Sequence, residues 1–194
     1  MKTQTNFSFV ITFLMGLSWL VACNPISEKV PAATVLPDNA VPPLQSGQVR
    51  QWAVGAEASS EFADPEWAAV QATDAPNTPR CGDYETAWAT AGSDTIETLV
   101  LTYTVSVHVT GINIVQSFNP NQISKVELIG VFERAVSVYD GQPRQVDQPC
   151  PYTLSIPIEK TEGRFNKVRL TVDQSILGMG WNQIDAVELI GDLE

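Results

Sequence analysis

The residues after Gln48 predict an all-β domain, an antiparallel β-sandwich of the jelly-roll kind. Short runs rich in β-branched and aromatic residues alternate apolar and polar positions. Turn residues separate them, and no stretch of helical length carries an amphipathic stripe. The first clear run is Leu99-Val100-Leu101-Thr102-Tyr103, followed by the strictly alternating Val105-Ser106-Val107-His108-Val109-Thr110. Lys125-Val126-Glu127-Leu128, Lys167-Val168-Arg169-Leu170-Thr171-Val172 and Val187-Glu188-Leu189-Ile190 repeat the pattern. Period two places one face of each strand in a core. Between them lie Asn119-Pro120-Asn121, Asp140-Gly141, Glu162-Gly163 and Gly178-Met179-Gly180. About eight strands with no room for crossover helices require antiparallel connections. No internal repeat is visible.

With 44% hydrophobic and 17% charged residues over 194 positions, the composition is that of a folded chain with one domain and accessory segments. The formal charge of -11, from 22 acidic and 11 basic residues, repels phosphate backbones and removes nucleic acid from the expected partners.

The first 22 residues read as a lipoprotein signal peptide: Met1-Lys2 opens a weakly basic start, and the apolar run Phe7 to Leu20 is short for a bilayer span. Leu20-Val21-Ala22-Cys23 resembles the bacterial lipobox, which makes Cys23 the lipid-bearing first residue of the mature chain. The expected location is the bacterial cell envelope, anchored to the membrane through the Cys23 lipid and facing outside the cytoplasm. Residues 23–48 carry Pro25, Pro31, Pro37, Pro42 and Pro43 without sustained periodicity, the composition of a tether. In polyproline conformation such a segment extends about 3 Å per residue. Residues 49–194 form the expected domain.

With Cys23 assigned to lipid, Cys81 and Cys150 remain as an even pair in an exported domain, where an oxidising compartment favours a disulfide. The alternative is two buried free thiols. Zinc is disfavoured, since two cysteines and one distant histidine do not supply four ligands.

A wider set of motifs points to a family. Trp52-Ala53, Ala58-Ser59-Ser60-Glu61, Trp67, Gln71-Ala72-Thr73, Ala75-Pro76-Asn77, Cys81-Gly82-Asp83 and Ala87-Trp88-Ala89 form its first part. Ile112-Asn113-Ile114, Phe118-Asn119-Pro120, Cys150-Pro151 and the ending from Trp181 to Gly191 complete it. Together they resemble a sandwich domain of bacterial extracellular proteins and, more distantly, the discoidin and galactose-binding-like superfamily. That resemblance implies a jelly roll, loops at one end that bind sugars, lipids or proteins, and in many members a structural calcium. Carried onto this sequence, the calcium position involves Asp74 or Asn77, Thr86 and Glu188, whose oxygens suit the ion. Here Ala75-Pro76 follows Asp74 where the superfamily has an Asp-Gly pair. The alternative is that Asp74, Asn77 and Thr86 satisfy turn backbone groups.

Catalytic groups are sparse. His108 is the only histidine and alternates outward on its strand with Ser106 and Thr110, so no triad assembles. The carboxylate pairs Asp83 with Glu85 and Asp94 with Glu97 read as solvated turns, and no enzymatic activity is expected. Aromatic rings carry more information, because sugar sites use a flat ring with a few convergent polar groups. Trp88 and Trp181 are expected in the core. Phe62, Trp67, Tyr84, Phe118 and Asn119 fall in loop-like segments and are the expected ligand-binding residues. The function these features imply is noncatalytic binding or adhesion toward a glycan or an envelope protein. A structural spacer without a small ligand is the alternative.

Overall fold

A computed structural model describes residues 47–147 and 151–194. The signal segment, Cys23, the tether up to Ser46 and Cys150 lie outside the described residues. Eight strands occur among the described residues: β1 (Gln48–Trp52), β2 (Gly55–Ala58), β3 (Ile96–Phe118), β4 (Ile123–Ile129), β5 (Ala135–Asp140), β6 (Tyr152–Pro157), β7 (Arg164–Asp173) and β8 (Gln183–Asp192). All pairings are antiparallel. The predicted all-β class is the observed one.

β3 unites in 23 residues what period-two reading separates into two strands, Leu99 to Tyr103 and Val105 to Thr110. The strand bends without breaking. Its pairing with β7 shifts register between Thr102 and Val107, and its pairing with β8 shifts again between Val109 and Gly111. At the second shift the buried positions change parity, from Leu99, Leu101, Tyr103, Val107 and Val109 to Ile112, Ile114 and Gln116. An extra residue in a ladder has this effect, because inward and outward positions exchange at each single-residue step.

The bend lets β3 serve both layers of the sandwich. Its first part pairs with β2 on one side and β7 on the other, and β4 and β5 continue that layer. Its last part lies between β6 and β8, with β1 beyond β8. Leu99, Leu101, Leu128, Val168 and Leu170 from one layer meet Ile112, Ile114, Ile184, Val187 and Leu189 from the other in one buried cluster. Burying such side chains stabilises by about 1.5–3 kcal/mol each, before conformational entropy is counted. Gly191 is required where β8 meets β3, since a Cβ there would overlap the His108 carbonyl and the Val107 side chain.

β8 is buried on both faces over Gln183–Leu189, which alternation did not predict. The segment between β2 and β3 covers its outer side. Trp88 exchanges two backbone hydrogen bonds with Ile184, at 2.9 and 3.1 Å. That segment carries the candidate site.

Candidate functional site

The connection from Ser59 to Gly92 contains one short 3-10 turn, Ala69–Ala72, and otherwise runs as turns and bends. Its anchor is Trp88, fully buried, whose indole Nε1 donates to the Ser60 carbonyl at 3.1 Å. Both neighbouring segments are tied to this anchor. Phe62 N donates to Ala89 O at 2.9 Å, Ala89 N to Trp67 O at 3.1 Å, and Trp67 N to Glu85 O at 3.1 Å. These bonds hold Trp67 at φ 55°, the left-handed region that bulky side chains rarely adopt. Backbone strain of this kind is kept only where surrounding contacts fix it.

The three rings meet edge to face. Phe62 packs against Trp67 with centroids 5.4 Å apart at 73°, and against Trp181 at 5.5 Å and 84°. Trp181 is held from behind by its Nε1, which donates to Thr90 O at 2.9 Å. Together with Asp83, Ala89 and Gln183 the rings line a small open cleft. Phe62 is 50% exposed, so its ring is available to a ligand. Asp83 Oδ1 accepts from Trp67 Nε1 at 3.0 Å and from Gln183 Nε2. Gln183 Oε1 in turn accepts from Tyr84 N at 3.1 Å. Asp83 Oδ2 makes none of these bonds and is left as an acceptor at the rim.

A shell of buried amides sets these loops. Asn182 Nδ2 donates to Gln116 Oε1 at 3.1 Å and to the Phe118 and Asn119 carbonyls at 3.2 Å each. Gln122 Nε2 donates to Asn119 O and Gly180 O, at 3.0 and 2.9 Å. Gln174 Oε1 accepts from Asn182 N at 2.7 Å, while its Nε2 reaches Thr90 Oγ1 at 2.7 Å. Networks of this kind rigidify the loops they join, because each lost partner leaves a desolvated group.

A family model described as the C-terminal SD scarf domain of pappalysin-1 matches residues 44–194. The chain belongs to this family. A comparison with curated proteins returned no match. Among solved structures, the scarf domain is similar to the family 32 carbohydrate-binding module of C. perfringens NanJ, solved with galactose. The TM-score is 0.52 at 16% identity, over 73% of this chain and 99% of that one. It is also similar to chitosan-binding module 1 of a chitosanase/glucanase from Paenibacillus sp. IK-5, with TM-score 0.52 and 15% identity over 70% and 92% of the two chains. A pectin-binding carbohydrate-binding module gives TM-score 0.52 and 14% identity over 71% and 89%. At these identities the likeness establishes the fold alone, a β-sandwich of the jelly-roll kind.

Of the five expected ligand-binding residues, the scarf domain brings Phe62 and Trp67 into the cleft. Tyr84 sits beside it, its backbone fixing Gln183 and its hydroxyl accepting from Arg80 Nε at 2.7 Å. Phe118 and Asn119 do not line it. Asn119 Nδ2 donates to Met179 O at 2.6 Å, and both residues' carbonyls receive Asn182, so their place is in the supporting shell. Trp88 is core as expected, but Trp181 is half-buried and forms a cleft wall, a correction to its assignment as core. The physical reason is that Trp181 precedes β8 and packs on an exposed ring. Asp83, read as a solvated turn, and Gln183, noted only within the ending from Trp181 to Gly191, are the polar groups that sequence reasoning missed.

The four expected calcium residues do not converge on one donor set. Glu188 is gripped by Arg50, whose Nε and Nη2 donate to its two carboxylate oxygens at 2.7 and 2.6 Å, with Asn113 Nδ2 adding a third bond at 2.7 Å. Asn77 and Thr86 belong to a different group around Asp185, which is 1% exposed. Asp185 Oδ1 accepts from Asn77 N at 3.3 Å, Thr78 N at 3.2 Å and Thr78 Oγ1 at 2.9 Å, and Thr78 Oγ1 lies 3.0 Å from Thr86 Oγ1. Asp74 is an exposed turn residue at φ 61°, bonded through its N–H to Ala53 O. Backbone N–H groups cannot ligate a cation, so this donor set fits the hydrogen-bonded turn better than the ion. Among the described residues no three His, Cys, Asp or Glu side chains form a metal-binding group.

Cys81 lies in the same connection and is not a free thiol. Its expected partner, Cys150, lies outside the described residues. His108 is half-buried and donates from Nδ1 to the Thr161 carbonyl at 2.8 Å, a structural bond of its strand.

Proposed function

We propose that the scarf domain is a noncatalytic glycan-recognition module displayed on a bacterial envelope. The observation that carries this reading is the cleft. Three aromatic walls stand beside a rim carboxylate, a combination that stacks on a sugar face and receives its hydroxyls. The carbohydrate-binding character of the solved relatives, reported with galactose, chitosan or pectin, supports the same reading.

On a glycan array the purified full chain should bind at least one oligosaccharide saturably. Trp67→Ala should weaken that binding about tenfold or more, the scale of removing an anchoring ring, with folding retained by circular dichroism. A properly folded chain with no saturable glycan binding would instead make the domain a spacer or assembly part.

Two covalent features belong to this reading: acylation at Cys23, supported by the lipobox resemblance, and a Cys81–Cys150 disulfide, supported by the even cysteine pair. They would moor the domain outside the cytoplasm and close a long loop across it, the latter contributing on the order of 4 kcal/mol in the chain-entropy model. Mass spectrometry of the non-reduced membrane fraction should find an acylated peptide beginning at Cys23 and a linked Cys81–Cys150 peptide pair. An unmodified Cys23, or free thiol at Cys150, would remove the corresponding feature.

A further inference from the structure

Charge around the cleft is one-sided. The connection that supplies Phe62, Trp67, Asp83 and Ala89, residues 59–92, carries the acids Glu61, Asp64, Glu66, Asp74, Asp83 and Glu85 against Arg80 alone. The segment that supplies Trp181 and Gln183, residues 174–183, has no charged side chain. Arg80 is exposed and its Nε donates to Tyr84 Oη, which leaves one cation against these six acids. Glu66 adjoins Trp67, and the Glu85 carbonyl receives the Trp67 N–H, which keeps both residues near that wall. Asp83 Oδ1 is occupied by two donors while Oδ2 remains open to a third.

A rim with an excess of carboxylates beside electron-rich ring faces favours a cation. A carboxylate attracts an ammonium across a few ångströms, and the faces of Trp and Phe add a cation–π term within about 6 Å. The same field opposes a uronate, whose carboxylate would face Asp83 with no cation between them.

We propose that the ligand of this cleft is a glycan bearing a protonated amino sugar, taken in preference to neutral or uronate-bearing glycans. The proposal rests on the glycan-recognition reading and specifies its ligand class.

Calorimetric titration of the full chain should compare a glucosamine oligosaccharide, its fully N-acetylated counterpart and an oligogalacturonate. Mildly acidic pH keeps the amines protonated and most carboxylates ionised. The free-amine oligosaccharide should bind about tenfold tighter than the N-acetylated one, with the uronate weakest. That gap should shrink in Asp83→Asn, which retains an oxygen for Trp67 and Gln183, and in the exposed double variant Glu66→Gln/Glu85→Gln. It should also shrink near 1 M salt, where the screening length falls to about 3 Å. Trp67→Ala should weaken free-amine binding about tenfold or more, which separates the cleft from the chain's general negative charge. Equal or tighter binding of the N-acetylated or uronate ligand, or free-amine binding that Trp67→Ala leaves undiminished, would overturn the amino-sugar assignment and leave glycan recognition standing. Failure of every oligosaccharide, on the array as well, would overturn glycan recognition itself.

Discussion

Trp88→Ala should destabilise the domain by about 3–5 kcal/mol, the usual cost of deleting a buried indole. The residue is fully buried, packs in the cluster between the layers and pairs through its backbone with Ile184. Truncation removes apolar contact and leaves the Ser60 carbonyl without its indole donor. For a domain of this size the loss corresponds to a melting temperature lower on the order of 10 °C. Trp88→Phe should recover most of the packing while leaving the indole hydrogen bond unmade, and so fall between the two. The same variant should weaken ligand binding, because Phe62 and Trp67 are held through Ala89, the next residue. Thermal and denaturant unfolding measure the first effect. A loss under about 1 kcal/mol would mean that Trp88 is not the anchor of the connection.

Asp185→Ala is expected to cost about 3 kcal/mol. Asp185 sits at a β-bulge, where Val115 and Gln116 on β3 face Ala186 and Ile184 on β8 and the intervening residue is left over. The bulge turns its carboxylate into the Asn77–Thr86 turn, where Thr78 N, Thr78 Oγ1 and Asn77 N all donate to it. Removing the acceptor strands these donors in a nearly dry site, at about 1–3 kcal/mol for each one left unsatisfied, reduced by relaxation and any entering water. Asp185→Asn keeps one acceptor oxygen and should restore about half of the loss. Calcium, which the discoidin-like resemblance implies at Asp74 or Asn77, Thr86 and Glu188, is tested by the same melts. If the ion binds there, millimolar calcium added to chelated protein raises the melting temperature by mass action, and Asp185→Ala removes the rise. An unchanged melting temperature would eliminate the ion, and a neutral Asp185→Ala would eliminate the carboxylate as the organiser of the turn.

Strands buried on one face were readable without coordinates. Leu99, Leu101, Val107, Val109, Val168, Leu170 and Val172 alternate in the sequence and are buried in the fold. The outer strands escaped because their environment imposes no such period: β1 is half-buried throughout, and β5 begins with three exposed residues. Edge strands answer to one neighbour and to solvent, so their side chains need not alternate. Phe62 and Trp67 stood out as large rings among turn residues. Trp181, Asp83 and Gln183 did not, since nothing near each one in the chain marks it for a cleft.

Period-two patterning, turn chemistry and the scarcity of helical stripes were enough to specify a two-layered β domain, because burial of alternate side chains is a local property of each strand. Which loops come together was decided only on folding. Asp83 and Gln183 are separated by 100 positions and share a hydrogen bond, and Trp181 reaches Phe62 only once β8 is seated against β3 and the Trp88 connection is laid over it. Contacts of that span depend on register, bulges and strand order, which the pattern of neighbouring residues does not encode.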